Sequence, residues 1–260
     1  MIRGVERVFI TGASSGIGAA LALFYARRGA RVALVGRRSE ALEALAATLP
    51  GEHARYVVDV RDRDRLHAAA EDFLREGPVD IVIASAGISV GTITEAKEDF
   101  AVFKAIHDTN VLATVATFEP FVASMKARRS GRLVGIASVA GVRGLPGAGA
   151  YSASKAAVRN YCESLRVELH GSGVCVVTIA PGFIRTPMTA RNPYRMPFLM
   201  PVDEFARVAA GHIDRGTRSV VIPWQMGWVG ALLRCVPGWM YDRLAARRER
   251  KPRQGEQGKL

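Results

Sequence analysis

A chain of 260 residues, 49% hydrophobic and 23% charged, is long enough to bury one sizeable α/β core and too apolar to remain disordered. Its formal net charge of +12 suits an anionic partner, but no nucleic-acid module accompanies the charge, so nucleic acid is not expected. Three cysteines and five histidines lie scattered without ligand spacing, which excludes an evident metal site and fits three ordinary buried thiols in a reducing compartment.

Residues 5–10 form the first strand candidate, and no apolar stretch around them is long enough for a secretion signal, so a cytoplasmic protein is expected. The turn Thr11-Gly12-Ala13-Ser14-Ser15-Gly16-Ile17-Gly18 follows and opens a helix over 15–28. Glycines there let the backbone approach a pyrophosphate, while the N–H groups and dipole of the helix start hold the anion. Gly12, Ser14, Ser15, Gly16, Ile17 and Gly18 are therefore candidate dinucleotide contacts, although the spacing Gly-x3-Gly-x-Gly differs from the usual fingerprint.

The second strand, 31–35, runs into Gly36-Arg37-Arg38. An NAD site places a carboxylate near this point for the ribose hydroxyl; guanidinium groups suit a 2′-phosphate instead. Arg37 and Arg38 thus predict NADP(H) over NAD(H). A helix over 40–49, a strand over 55–58, a helix over 63–75 and a strand over 79–83 come next. One long helix spans 100–128 with Asn110 inside it, an unfavourable residue for a helix interior.

A strand over 132–136 is followed by Ser138, and a helix over 151–169 opens with Tyr151-Ser152-Ala153-Ser154-Lys155. One helical turn apart, the phenol and the ammonium share a face, and a nearby cation is expected to lower the phenol's pKa and make it a proton donor or acceptor. A strand over 174–179, a helix over 202–215 and a strand over 219–222 complete the alternation. Such alternation predicts an α/β fold: a single doubly wound Rossmann-type domain over 1–222, with a seven-stranded parallel sheet and helices on both faces.

Taken in order, Thr11–Gly18, Asp59-Val60, Ala86-Gly87, Asn110, Ser138, Tyr151, Lys155 and Pro181-Gly182 make the chain resemble the classical short-chain dehydrogenase/reductase family over roughly residues 5–222. The resemblance implies Tyr151 as general acid or base, Lys155 as its pKa partner and holder of the nicotinamide ribose, Ser138 on the carbonyl, and Asn110 on a water of the proton relay. It implies Asp59 and Val60 beside the adenine, and Pro181, Gly182, Ile184 and Thr186 beside the nicotinamide. It also implies a homo-oligomer, dimer or tetramer, assembled through the long helices. One departure is Ser85-Ala86-Gly87, where the family commonly has Asn-Ala-Gly, which bears on local rigidity rather than chemistry.

The expected function is NADP(H)-dependent interconversion of a carbonyl and a secondary alcohol. Epimerisation or dehydration of a nucleotide sugar is disfavoured by the short substrate region, and a non-catalytic dinucleotide sensor or scaffold would have no use for Ser138, Tyr151 and Lys155 together. Residues 187–201, with Met188, Tyr194, Met196, Phe198, Leu199 and Met200, form the candidate lid over an apolar or lipid-like substrate. The tail, 223–260, is first apolar (Trp224, Trp228, Leu232, Leu233, Trp239) and then basic (Arg243, Arg247, Arg248, Arg250, Lys251). It suits either peripheral contact with the inner face of a membrane or packing on its own domain or a partner subunit.

Overall fold

The computed structural model describes residues 5–190, 192–246 and 249–253. Strands β1 (Arg7–Thr11), β2 (Arg31–Gly36), β3 (Ala54–Val57), β4 (Ile81–Ala84), β5 (Gly131–Ile136), β6 (Val174–Pro181) and β7 (Ser219–Ile222) form one sheet in the order β3-β2-β1-β4-β5-β6-β7. All neighbours are parallel, so each connection must cross a sheet face, and helices make the crossings. They are α1 (Gly16–Arg27), α2 (Ser39–Ala46), α3 (Arg63–Arg75), α4 (Asp99–His107), α5 (Ala113–Ala127), α6 (Gly149–Glu168) and α7 (Val202–Asp214).

The central strands are apolar without alternation because both faces are covered. In β1, Val8 and Ile10 pack with Leu21 of α1 and Phe205 of α7, whereas Phe9 enters the opposite layer with Phe73 of α3 and Phe121 of α5. The Phe9 and Phe121 rings lie 5.0 Å apart at their centroids. Strand order reverses between β1 and β4, and the crevice beyond their carboxyl ends is where an open α/β sheet holds its ligand.

The single helix expected over 100–128 is interrupted. Between α4 and α5 the segment Asp108–Leu112 is π-helical, with Thr109 and Asn110 buried. The wider turn accommodates a residue the α-helix disfavours, a feature found mostly at functional positions. The thiols also depart from expectation: Cys162 is buried, but Cys175 and Cys235 are exposed. Cys175 sits near the open end of β6, and Cys235 ends the helix after β7, where little covers either.

The tail folds onto the domain. Helix α8 (Trp224–Cys235) packs against β7, and α9 (Gly238–Ala245) is tied down by Tyr241, whose hydroxyl donates to the Gly144 carbonyl at 2.5 Å. Residues 249–253 then run back along the body beside Gly91. Arg247 and Arg248 of the expected basic run, and everything after Arg253, lie outside the described residues. Among the described residues no helix is long and apolar enough to cross a membrane.

Candidate active site

The turn from β1 into α1 is held against the loop after β4. Gly12 has φ +70°, and a Cβ there would stand 2.7 Å from the Ala86 backbone, so only glycine permits the approach. A Cβ at Gly18 would overlap the Gly12 carbonyl, which makes the first turn of α1 equally dependent on the missing side chain. Ser15 caps α1 in extended conformation without a side-chain hydrogen bond, and no acidic residue occupies the first turn. The helix start therefore keeps N–H groups and positive potential for an anion.

Basic groups gather at the ends of β2 and β3. The Arg38 guanidinium donates to both the carbonyl and the hydroxyl oxygen of Ser14, each at 3.1 Å. Arg37 lies 3.6 Å from the Asp59 carboxylate, which Arg61 also grips at 2.6 Å. Hydrogen bonds from Arg61 hold the Asp59 carboxyl down at about 2. Two guanidinium groups thus meet one carboxylate, and with Arg38 beside Ser14 the region carries net positive charge. Sequence reasoning passed over Arg61; its only signal was the Asp-x-Arg spacing, which a turn converts into chelation. Every residue assigned to the dinucleotide, from Gly12 to Thr186, lines a single cleft of about 310 Å³.

Tyr151 and Lys155 lie in the first turns of α6, facing that cleft. The Lys155 ammonium is buried, donates to the Ile136 carbonyl at 2.8 Å and stands 5.9 Å from the Tyr151 ring centroid. Burial draws its pKa down to about 8. Burial also pushes the Tyr151 phenol upward, with hydrogen bonding to Ser138 pulling the other way. The expectation of a lowered phenol pKa is therefore not met in direction, because the ammonium is turned to a backbone carbonyl while the ring is desolvated. Ser138 leaves β5 and caps the short turn Val139–Gly141, its hydroxyl accepting from the Ala140 N–H at 3.1 Å.

Asn110 lies behind these groups, fully buried. Its amide oxygen accepts from the Ile88 N–H at 2.8 Å, and its nitrogen donates to the Ile88 carbonyl at 3.0 Å and to the Ser154 hydroxyl at 2.9 Å. Ser154 in turn donates to the Tyr151 carbonyl at 2.8 Å. The π-turn amide thus ties the loop after β4 to α6. That connection stiffens Ser85-Ala86-Gly87 from the Ile88 side despite the serine.

A second cavity, of about 970 Å³, opens on the other side of Tyr151. Its walls come from Met188, Tyr194 and Met196 of the expected lid, from the turn after β5, and from Met226, Val229 and Leu233 of α8. Phe198, Leu199 and Met200 do not line it: Phe198 is exposed at φ +58°, and Met200 bridges to Ile184. Ser89, Arg143, Arg195 and the tail residues Glu249 and Lys251 complete the lining. Ser138 and Tyr151 border both cleft and cavity.

The short chain dehydrogenase family model matches residues 6–195. The chain is 41% identical to an uncharacterized oxidoreductase of Myxococcus xanthus, covering 92% of this chain and 95% of that one. It is 36% identical to the 3-oxoacyl-[acyl-carrier-protein] reductase of Thermotoga maritima over 71% of this chain and 76% of that protein. Among solved structures it is similar to levodione reductase, with a TM-score of 0.77 at 27% identity, covering 85% of this chain and 98% of the other. With the parallel sheet, the glycine-turn crevice and the Ser138–Tyr151–Lys155 grouping already in place, these matches lead to one conclusion: the chain belongs to the short-chain dehydrogenase family and is an oxidoreductase.

Proposed function

We propose that the protein interconverts a carbonyl and a secondary alcohol with NADP(H), on an apolar or lipid-like substrate. The observation that carries this reading is the position of Tyr151 and Ser138 in the shared wall of a glycine-lined cleft and a large apolar cavity. The cleft fits a dinucleotide because Gly12 and Gly18 let the turn close against the Ala86 and Gly12 backbone beneath the bare start of α1, and the Arg37 and Arg38 guanidinium groups in its lining favour an added phosphate. When bound, the nicotinamide supplies or takes the hydride.

The protein's own groups manage the proton and the geometry. In reduction, the Tyr151 hydroxyl donates a proton to the carbonyl oxygen as it becomes an alkoxide; in oxidation the phenolate takes it back. An upward-shifted phenol keeps that proton near neutral pH until the substrate oxygen demands it. Ser138 orients the same oxygen, and Lys155 offers its ammonium to the cofactor ribose and stabilises the phenolate as it forms. Asn110 keeps the loop after β4 and α6 in register and, by family analogy, holds a relay water. The apolar walls exclude bulk water from the transfer.

Two partner readings accompany the proposal. Phe100, Phe103 and Leu112 along α4 and the π turn, with Val167 on α6, are exposed and support assembly into a dimer or tetramer through these helices. All three tryptophans are exposed on α8 and α9 while the inner side of α8 lines the cavity, which supports peripheral contact with the inner face of an anionic membrane. The central test is a ketone panel followed by NADPH absorbance, with NADH alongside. Turnover with NADPH that disappears in Tyr151→Phe is expected; tight NADPH binding with no carbonyl reduced would instead identify a sensor.

A further inference from the structure

The segment 249–253 is built into the substrate cavity. The Gly91 N–H donates to the Pro252 carbonyl at 3.0 Å, and Arg253 is latched to Asp99 at 2.9 Å and to Glu98 at 2.6 Å. The contact is so close that a Cβ on Gly91 would overlap the Lys251 carbonyl oxygen. So held, Lys251 reaches into the site: its ammonium donates to the Ser89 hydroxyl at 2.6 Å and lies 5.6 Å from the Tyr151 ring centroid. Lys155 stands 5.9 Å from the same ring, so two ammonium groups approach one phenol, one bordering the cleft and the other lining the cavity.

The two have different surroundings. Lys155 is satisfied by the Ile136 carbonyl and faces the dinucleotide cleft. Among the described residues Lys251 has no carboxylate within ion-pair distance, although Glu249 lines the same cavity. An ammonium withdrawn from water without a counter-charge is costly unless something negative meets it. Burial draws the Lys251 pKa down to about 8, in keeping with that cost. Of the two arginines in the same lining, Arg143 is the less suited. Arg143 donates to the Leu233 and Val236 carbonyls at 2.9 and 3.0 Å and lies over the Tyr241 ring.

Building on the carbonyl–alcohol reading, we propose that Lys251 is a substrate-binding residue that recognises a carboxylate carried a few bonds from the reacting carbonyl, making the substrate class an apolar oxo acid or its hydroxy acid. One isolated ammonium with a neutral hydroxyl beside it matches a monoanion better than a phosphate, which draws several donors. The carboxylate would sit beside the Lys251–Ser89 pair, the carbonyl at Ser138 and Tyr151, and the apolar remainder against Met188, Met196 and Leu233. Gly91 and Arg253 act only through the strap they hold and are positioning residues.

The test uses the full chain and does not depend on turnover. Octanoate and octanamide, equal in chain length and different in charge, are titrated calorimetrically into the wild type, Lys251→Met and Gly91→Ala. The wild type is expected to bind octanoate about tenfold more tightly than octanamide, the effect of one charge-assisted contact in a partly desolvated site. Lys251→Met should remove that preference while leaving octanamide unchanged, and Gly91→Ala should reduce it by dislodging the strap with its charge intact. Equal binding of the two probes by the wild type, or a preference that survives Lys251→Met, would overturn the assignment. Octanoate preference with no oxo acid turned over would leave Lys251 standing and remove the redox role of Tyr151. Turnover of neutral ketones with no carboxylate preference would do the reverse.

Discussion

The two sides of Tyr151 are built in contrasting ways. The cleft side is made mostly of backbone and small residues at strand ends: Gly12 against Ala86, Gly18 against Gly12, and the bare start of α1. The cavity side is made of side chains drawn from distant segments: Met188, Tyr194 and Met196 of the lid, helix α8 and the strap at Lys251. Backbone at strand ends is placed by the sheet ladder and tolerates little variation. Side chains on loops and tail are placed by local packing and can change while the sheet remains as it is. The first side is thus constrained by close approach, the second by chemistry that the sheet does not dictate.

The sharpest way to break this comparison is at the shared wall. Tyr151→Phe should lower carbonyl reduction by roughly 10²–10⁴-fold, the usual worth of a positioned acid, with NADPH affinity in fluorescence titration nearly unchanged. If affinity fell as far as rate, the phenol would be serving the cleft rather than the chemistry. On the cleft side, Gly12→Ala meets both a positive φ and the Ala86 backbone, so NADPH affinity should drop by roughly 10–100-fold while the circular dichroism spectrum keeps its α/β shape.

Replacing both Arg37 and Arg38 by alanine should shift the NADPH/NADH preference in kcat/KM by roughly 10–100-fold, the worth of one or two charge-assisted hydrogen bonds. Equal losses with both cofactors would mean these guanidinium groups bind no 2′-phosphate.

A pH experiment separates the buried lysine of the cleft from its function. Lys155 has a folded pKa of about 8 against an ordinary 10.5, so between those values the unfolded chain binds more protons and stability rises with pH. At neutral pH the buried ammonium therefore costs stability, on the order of 3 kcal/mol before its hydrogen bond to Ile136 is counted. Lys155→Met should be inactive yet melt at or above the wild-type Tm at pH 7, with the gap narrowing from about pH 8 towards 10.5. A gap independent of pH would show that the ammonium is not desolvated.

The smallest effect is expected at the latch. Arg253→Ala removes an ion pair with the exposed Glu98 and one with the buried Asp99, which keeps its hydrogen bond from the Ile93 N–H, so Tm should fall by only a few degrees. KM for the carbonyl substrate should nonetheless rise severalfold as the strap loosens, with KM for NADPH constant. A rise in both would place the strap's influence on the cleft side.

The alternation of strands and helices was legible because both-face burial writes itself as short continuous apolar runs such as Val8-Phe9-Ile10. The cleft was legible because its contacts are clustered locally: the glycine turn occupies eight consecutive positions and Arg37-Arg38 directly follows its strand. The break in the helix over 100–128 was not, since a π turn is chosen by what its buried amide must reach. Asn110 must reach Ile88 and Ser154, and no periodicity announces them. Cys175 and Cys235 were misjudged for a related reason, because composition does not say where helical cover ends. Lys251 read as one member of a basic run, when its partner Ser89 lies 162 residues away.

From its own order of residues, then, this chain determined a parallel α/β sheet, a glycine turn shaped for an anion, and a phenol–ammonium pair on one helix face. Each of these depends on neighbours in sequence or on a hydrophobic period. Only the tertiary structure decided the direction of the Tyr151 shift, the place of the tail in the wall of the cavity beside Tyr151, and the meeting of Lys251 with Ser89. Burial and long-range contact set those outcomes, and both arise only once distant segments have been brought together.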